Sequence, residues 1–160
     1  MREILFRGKA DPHYYPHINQ WVYGAYIHRT LFYGDPDDSH WILYTGEFDC
    51  DFYDAARIVP KTLGQYTGFD DKHGNKIFEG DIVKTKYGRL CVVVWFSSQV
   101  HNGWDLETIK TVENCAYTQY PDAFDLYKKE NLEIVGNIHD NPELLGGEVN
   151  GKRKTQTQSR

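Results

Sequence analysis

Short apolar runs, broken by glycine, proline and acidic residues, recur along this chain at a spacing that suits strands better than helices. Residues 4–7 read as a first short strand. Residues 21–28 form a longer one, after a stretch rich in His, Tyr and Pro at 9–19 that reads as a loop. Residues 33–38 are a turn cluster, in which Pro36 presets a backbone dihedral and the aspartates bond local N–H groups. Residues 40–45 and 57–59 add two more strands, the second stopped by Pro60. The first 59 residues are therefore expected to make a small, loop-rich β subdomain.

The pattern is more regular from residue 60 to 145. Residues 63–67 are extended, and 70–76 form a tight polar turn in which Gly74 or Asn75 can take positive φ. Strands are expected at 80–86, 90–96, 104–110 and 132–139, with 90–96 fully buried because all seven of its residues are apolar. Residues 120–129 are the one plausible helical region of the interior. A last short helix starts at Asn141 as cap, with Pro142 in the first helical position. Strand–turn–strand spacing of this kind suits a small closed barrel, which leaves no exposed edge. The expected class is all-β with minor α: an N-terminal β-rich subdomain at 1–59, an SH3-like barrel at 60–145 and a basic tail at 146–160.

Composition supports the strand reading. Aromatic residues make up 15% of the chain, with 12 Tyr, 8 Phe and 4 Trp, and these fit a pleated, half-buried surface. The formal charge is −5, unevenly spread. Residues 146–160 hold Glu148 against Lys152, Arg153, Lys154 and Arg160, a net +3, which leaves −8 on residues 1–145. A body this acidic is a poor phosphate-binding surface. The tail has almost no apolar group to offset the entropy of ordering and reads as solvated and disordered.

Cys50, Cys91 and Cys115 contain no close pair, so no zinc ribbon or redox motif is offered and a reduced, cytoplasmic setting is expected. The first residues are too short in apolar character for a secretory leader, and the longest apolar run, seven residues, is far below a membrane span. Asp70 to Asp81 fails the calcium-loop pattern, with Lys72 and Gly74 where oxygen ligands are needed. His13 and His17 are interrupted by Pro16, so no helical zinc pair forms. Glu47, Asp49, Asp51 and Asp54 read as a solvated acidic loop, not a hydrolase pair. Ser97-Ser98 lacks a nucleophile elbow, and no phosphate loop occurs. Neither a cofactor nor a metal is expected.

Three segments stand out together. The first is Arg-Glu-Ile-Leu-Phe-Arg-Gly-Lys at 2–9, followed by Trp-Val-Tyr-Gly at 21–24. The second, and most specific, is Leu-Gly-Gln-Tyr-Thr-Gly-Phe-Asp-Asp-Lys-His-Gly-Asn-Lys-Ile-Phe-Glu-Gly-Asp-Ile-Val at 63–83. The third is Ile-Val-Gly-Asn-Ile-His-Asp-Asn-Pro-Glu-Leu-Leu at 134–145. In this order they resemble the YopX family of phage-associated proteins, from whose pattern the chain departs in a longer stretch at 10–20 and in Phe69 where Leu is usual. The resemblance implies a β-rich fold with an SH3-like barrel and a phage or prophage origin, and supplies no mechanism.

The middle segment reads first as structure, with glycines and Asx residues shaping a β-to-β connection. Read as a binding surface, it offers Gln65, Tyr66 and Asp71 as exposed loop candidates, with Trp21 beside them. The expected function is a non-enzymatic, self-associating interaction module acting on a phage or host protein, with no membrane partner. The alternative is a nucleic-acid-associated module using the barrel and the basic tail, with aromatics such as Tyr14, Tyr15, Trp21, Tyr23, Tyr26 and Trp104 as stacking platforms.

Overall fold

The computed structural model describes residues 3–16, 20–29, 39–43, 55–98, 102–110 and 132–145. Its strands are β1 (Phe6–Lys9), β2 (Trp21–His28), β3 (His40–Leu43), β4 (Ala55–Arg57), β5 (Gly64–Asp70), β6 (Lys76–Phe78), β7 (Asp81–Thr85), β8 (Leu90–Ser97), β9 (Asn102–Lys110) and β10 (Leu132–Asn137). Two single 3-10 turns, Pro60–Thr62 and Pro142–Leu145, are the helical elements among the described residues. The turn cluster at 33–38, the acidic stretch 47–54, the expected helix at 120–129 and the tail at 146–160 lie outside the described residues.

The strands make two antiparallel sheets, one of six in the order β4-β3-β2-β1-β5-β6 and one of four in the order β10-β7-β8-β9. The all-β expectation holds. The closed ring does not: among the described residues β9 pairs with β8 and β10 with β7, and neither pairs with the other. β5 pairs with β1 through Phe6↔Gln65 and Arg7↔Gly64, so the six-stranded sheet draws on residues from both sides of residue 59. Gly64 is needed there for space. A Cβ on it would stand 2.6 Å from the Glu79 carbonyl oxygen, a backbone atom that cannot rotate away.

The β5–β6 hairpin joins the two sheets. Near Gly64 it belongs to the first sheet, while further along it buries Ile77 and Phe69 against Val83, Cys91, Val93, Trp104, Leu106 and Leu132 of the second. The turn that closes it is the polar one read from the sequence, and Gly74 is the residue at positive φ, 84°. The first sheet has its own buried group in Trp41, Ile42, Ala56 and Ile58.

Two local expectations change. β8 is not buried on both faces: Cys91 and Val93 are buried, Val92 and Val94 are half-buried, and Trp95 is 48% exposed with its ring edge-on to Trp104. An all-apolar run carries no period, so it could not distinguish these positions. Asn141 does not cap the final turn with its side chain. Its Oδ1 accepts the Asn137 N–H at 3.3 Å and its Nδ2 donates to Glu143 at 3.2 Å. A Cβ at Gly136 would overlap that same Asn141 side chain.

Gly64→Ala is expected to lower stability by about 1–3 kcal/mol, since the overlap forces the β5 backbone away from the residue that follows Phe78. Urea unfolding followed by tryptophan fluorescence measures it, and an unchanged midpoint would contradict the packing described.

Candidate functional site

Where β1 and β2 meet the β6–β7 connection and β10, the two sheets leave a cleft of about 570 Å³. Its walls are Leu5 just before β1 and Arg7 within it, Trp21 and Tyr23 from β2, Asn75 from the turn before β6, Lys76 and Phe78 from β6, Asp81 from β7, and Ile134, Gly136, Asn137 and Asp140 from β10 and the turn after it. Antiparallel register accounts for the first group. Arg7 lies opposite Tyr23 and Lys9 opposite Trp21, so all four side chains share one face of the sheet.

Arg7 sits at the centre. It is 7% exposed, and its guanidinium carbon lies 4.6 Å from the Trp21 ring centre and 4.8 Å from that of Phe78. Nη2 donates to Asp81 Oδ1 at 2.6 Å and to the Glu79 carbonyl at 3.3 Å. Asp81 Oδ2 in turn accepts the Phe78 N–H at 2.7 Å. Burial pushes the Asp81 carboxyl up, while the Arg7 charge and the Phe78 N–H pull it the other way. Arg7 Nε is buried with no hydrogen-bond partner.

Asp140 closes the neighbouring wall. It accepts from Lys9 Nζ, from Trp21 Nε1 at 2.7 Å and from Asn137 Nδ2 at 2.8 Å. Partial burial would raise its pKa, but these donors outweigh that and bring it down to about 2. His139 packs its ring 5.8 Å from that of Trp21. Burial, with Arg7 and Lys9 nearby, lowers its pKa and keeps it neutral near pH 7. On the far side of the connection, Lys61, Leu63, Glu79, Val92, Ile138 and His139 line a smaller hollow of about 210 Å³.

The four residues singled out from the sequence fare differently. Trp21 stands in the cleft wall as described. Asp71 is 2% exposed, not a surface group, and works as a clamp. Its Oδ1 accepts the N–H groups of His73 and Asn75, and its Oδ2 accepts Asn75 Nδ2 and the Ile134 N–H, which ties the β5–β6 turn to β10. Burial raises its pKa less than these bonds lower it. Tyr66 is also buried, and its hydroxyl donates to Asp70 at 2.7 Å. Burial, with the Asp70 carboxylate, raises that phenol to about 12. Gln65 is half-buried in β5, where its carbonyl accepts the Glu79 N–H at 2.9 Å. The sequence singles out none of Phe78, Arg7 and Asp140, and offers Tyr23 only as one of six aromatics that could stack bases. The three motif segments contain them, but nothing in one dimension says that those segments touch.

All three cations of the cleft region are held by carboxylates: Arg7 by Asp81, Lys9 by Asp140 and Lys76 by Glu3. Among the described residues no cluster of three His, Cys, Asp or Glu side chains could hold a metal ion. The surface therefore offers aromatic and aliphatic contact with its charges already neutralised.

Arg7→Met is expected to cost about 3–5 kcal/mol, because it leaves the Asp81 carboxylate buried without a cation. Adding Asp81→Asn should recover part of the loss. Denaturant unfolding of the single and double variants measures the coupling, and strict additivity would contradict a shared network. Asp140 gives a pH prediction. Its folded pKa lies below the unfolded value of 3.8, so its contribution is complete above that range and is lost as pH falls toward about 2. Asp140→Asn should flatten that acid limb of the melting-temperature profile. Asp81, shifted the opposite way, titrates in both proteins and cancels in the difference.

A family model described as "YopX protein" matches residues 17–146. That range takes in Trp21 and Tyr23 and the two later motif segments, and leaves the 2–9 segment outside it. No curated protein matches the chain. Among solved structures, protein EF1440 from Enterococcus faecalis is similar at 19% identity and a TM-score of 0.39, over 91% of this chain and 99% of that one. With the family model covering most of its length, this chain belongs to the YopX family.

Proposed function

We propose that this protein is a non-enzymatic interaction module that seats a segment of another protein in the cleft between its two sheets. One observation carries the reading: an apolar, aromatic-walled cleft of about 570 Å³ whose charged groups are all engaged with one another. Concave, mainly apolar surfaces with a few placed polar groups are the usual form of a recognition site. Within this reading the β5–β10 region acts as an SH3-like unit, the setting is a phage or prophage protein in the cytoplasm, and self-association brings several clefts together. The nucleic-acid alternative finds less support at this surface, since a phosphate backbone is drawn by free cations and those of the cleft have carboxylate partners.

Selection of a random peptide library on the immobilised full-length protein tests the proposal. Enrichment of related sequences is expected on the natural protein and not on Tyr23→Ser, a variant chosen because Tyr23 is 46% exposed and lies outside the buried Arg7–Asp81 pair. Failure of any sequence to enrich above a bare support would refute it.

A further inference from the structure

We propose that the smaller hollow, across the β6–β7 connection from the cleft, binds a free amino acid with a short aliphatic side chain, Glu79 taking its ammonium group and Lys61 its carboxylate. The site lies outside the cleft, so the proposal goes beyond the interaction reading and does not depend on it.

Charge sets this hollow apart. In the cleft Arg7, Lys9 and Lys76 each face a carboxylate. In the hollow Lys61 and Glu79 line one space of about 210 Å³, and among the described residues they form no ion pair with each other or with any third group. The Glu79 side chain belongs to a half-buried residue, and a carboxylate withdrawn from water without a cation is costly. Burial pushes its pKa up, which one backbone hydrogen bond from Gln65 only partly offsets. Lys61 is exposed, on a flexible four-carbon stem.

The lining is aliphatic and held in place. Val92 and Val94 are two residues apart on β8, so they share the face opposite the one that buries Cys91 and Val93. Leu63 and Ile138 complete the apolar lining. Gly80 ties two of its sides together: its N–H donates to the Val93 carbonyl and its carbonyl accepts the Ile138 N–H, both at 2.9 Å. A space framed in this way exists before a ligand arrives, and less ordering accompanies binding.

Size and charge then select the occupant. The hollow is smaller than the roughly 300–1,000 Å³ of pockets that take drug-sized ligands. A lone cation paired with Glu79 would also meet Lys61, and a lone anion on Lys61 would also meet Glu79. An uncharged aliphatic molecule would cover both charges and pair neither. A zwitterion brings an opposite charge to each, and its aliphatic part packs on Val92, Val94, Leu63 and Ile138. His139 in the same wall is neutral near pH 7 and adds no third charge.

The test uses the isotopically labelled full-length protein and L-valine. Two derivatives are compared with it: N-acetyl-L-valine, which lacks the ammonium charge, and L-valinamide, which lacks the carboxylate. Amide chemical shifts both locate binding and report affinity. L-valine should bind with a Kd of about 1 mM, in keeping with so few atoms, and should shift Gly80, Val93 and Ile138 rather than Trp21 and Tyr23. Each derivative should bind at least about tenfold more weakly, as expected for one lost charge-assisted contact. Glu79→Gln should bring L-valine down to the affinity of N-acetyl-L-valine for the natural protein, and Lys61→Gln to that of L-valinamide. Lys61 is exposed, so its variant retains the fold even if Glu79→Gln does not. Absence of shifts at the hollow at about tenfold the expected Kd, shifts confined to the cleft, derivatives that bind as well as L-valine, or a Lys61→Gln protein that binds it unchanged would each overturn the proposal.

Discussion

The arrangement of the two sheets turns on one buried ion pair, Arg7 with Asp81, closed between the rings of Trp21 and Phe78. A buried pair of this kind contributes little net stability, because removing both charges from water offsets much of their attraction. What it contributes here is position. The carboxylate accepts the Phe78 N–H as well as Nη2, and Nη2 also reaches the Glu79 carbonyl, so the guanidinium is tied to the whole turn from Phe78 to Asp81. A lysine could supply the charge but not the flat, delocalised plane that two aromatic faces cover at once.

The cleft is a by-product of that tie and two others. Asp71 fixes the β5–β6 turn to β10, and Asp140 fixes the turn after β10 to Trp21 and Lys9. Each fastens one corner with a carboxylate whose acceptors are matched to local donors. The walls can then stay apolar without collapsing together.

Much of this architecture could be read from the sequence, and the limit falls at a definable place. Period-two patterns placed β2, β7, β9 and β10 to within a few residues, and the Asp70–Lys76 turn was correctly located by its Gly and Asx content. Local signals of that kind depend on neighbours along the chain. β6 was missed because three residues between a turn and a glycine carry no period. The structural reading of Asp71 as a turn acceptor holds, but the expected exposure of Asp71 and Tyr66 does not, for a related reason. A polar residue in a turn is usually solvated, and only the arrival of Ile134, 63 residues away, makes Asp71 an interior clamp. Trp21 is legible in the sequence only as one of several candidate aromatics, whereas its surroundings in the fold are Arg7 against its ring and Asp140 at its Nε1. Long-range pairing decides all of these, and it is the information that composition and periodicity do not contain.

Charge shows the same division between a whole-chain average and a local site. The net −8 on residues 1–145 suggested a surface hostile to phosphates. Yet the stretch from 30 to 54 alone carries Asp35, Asp37, Asp38, Glu47, Asp49, Asp51 and Asp54 with no Lys or Arg. Those carboxylates lie outside the described residues and away in sequence from every segment that lines the cleft. The average therefore says little about the cleft. What is set locally is that Arg7, Lys9 and Lys76 each face a carboxylate at contact distance, while aromatic and aliphatic side chains supply much of the wall between them.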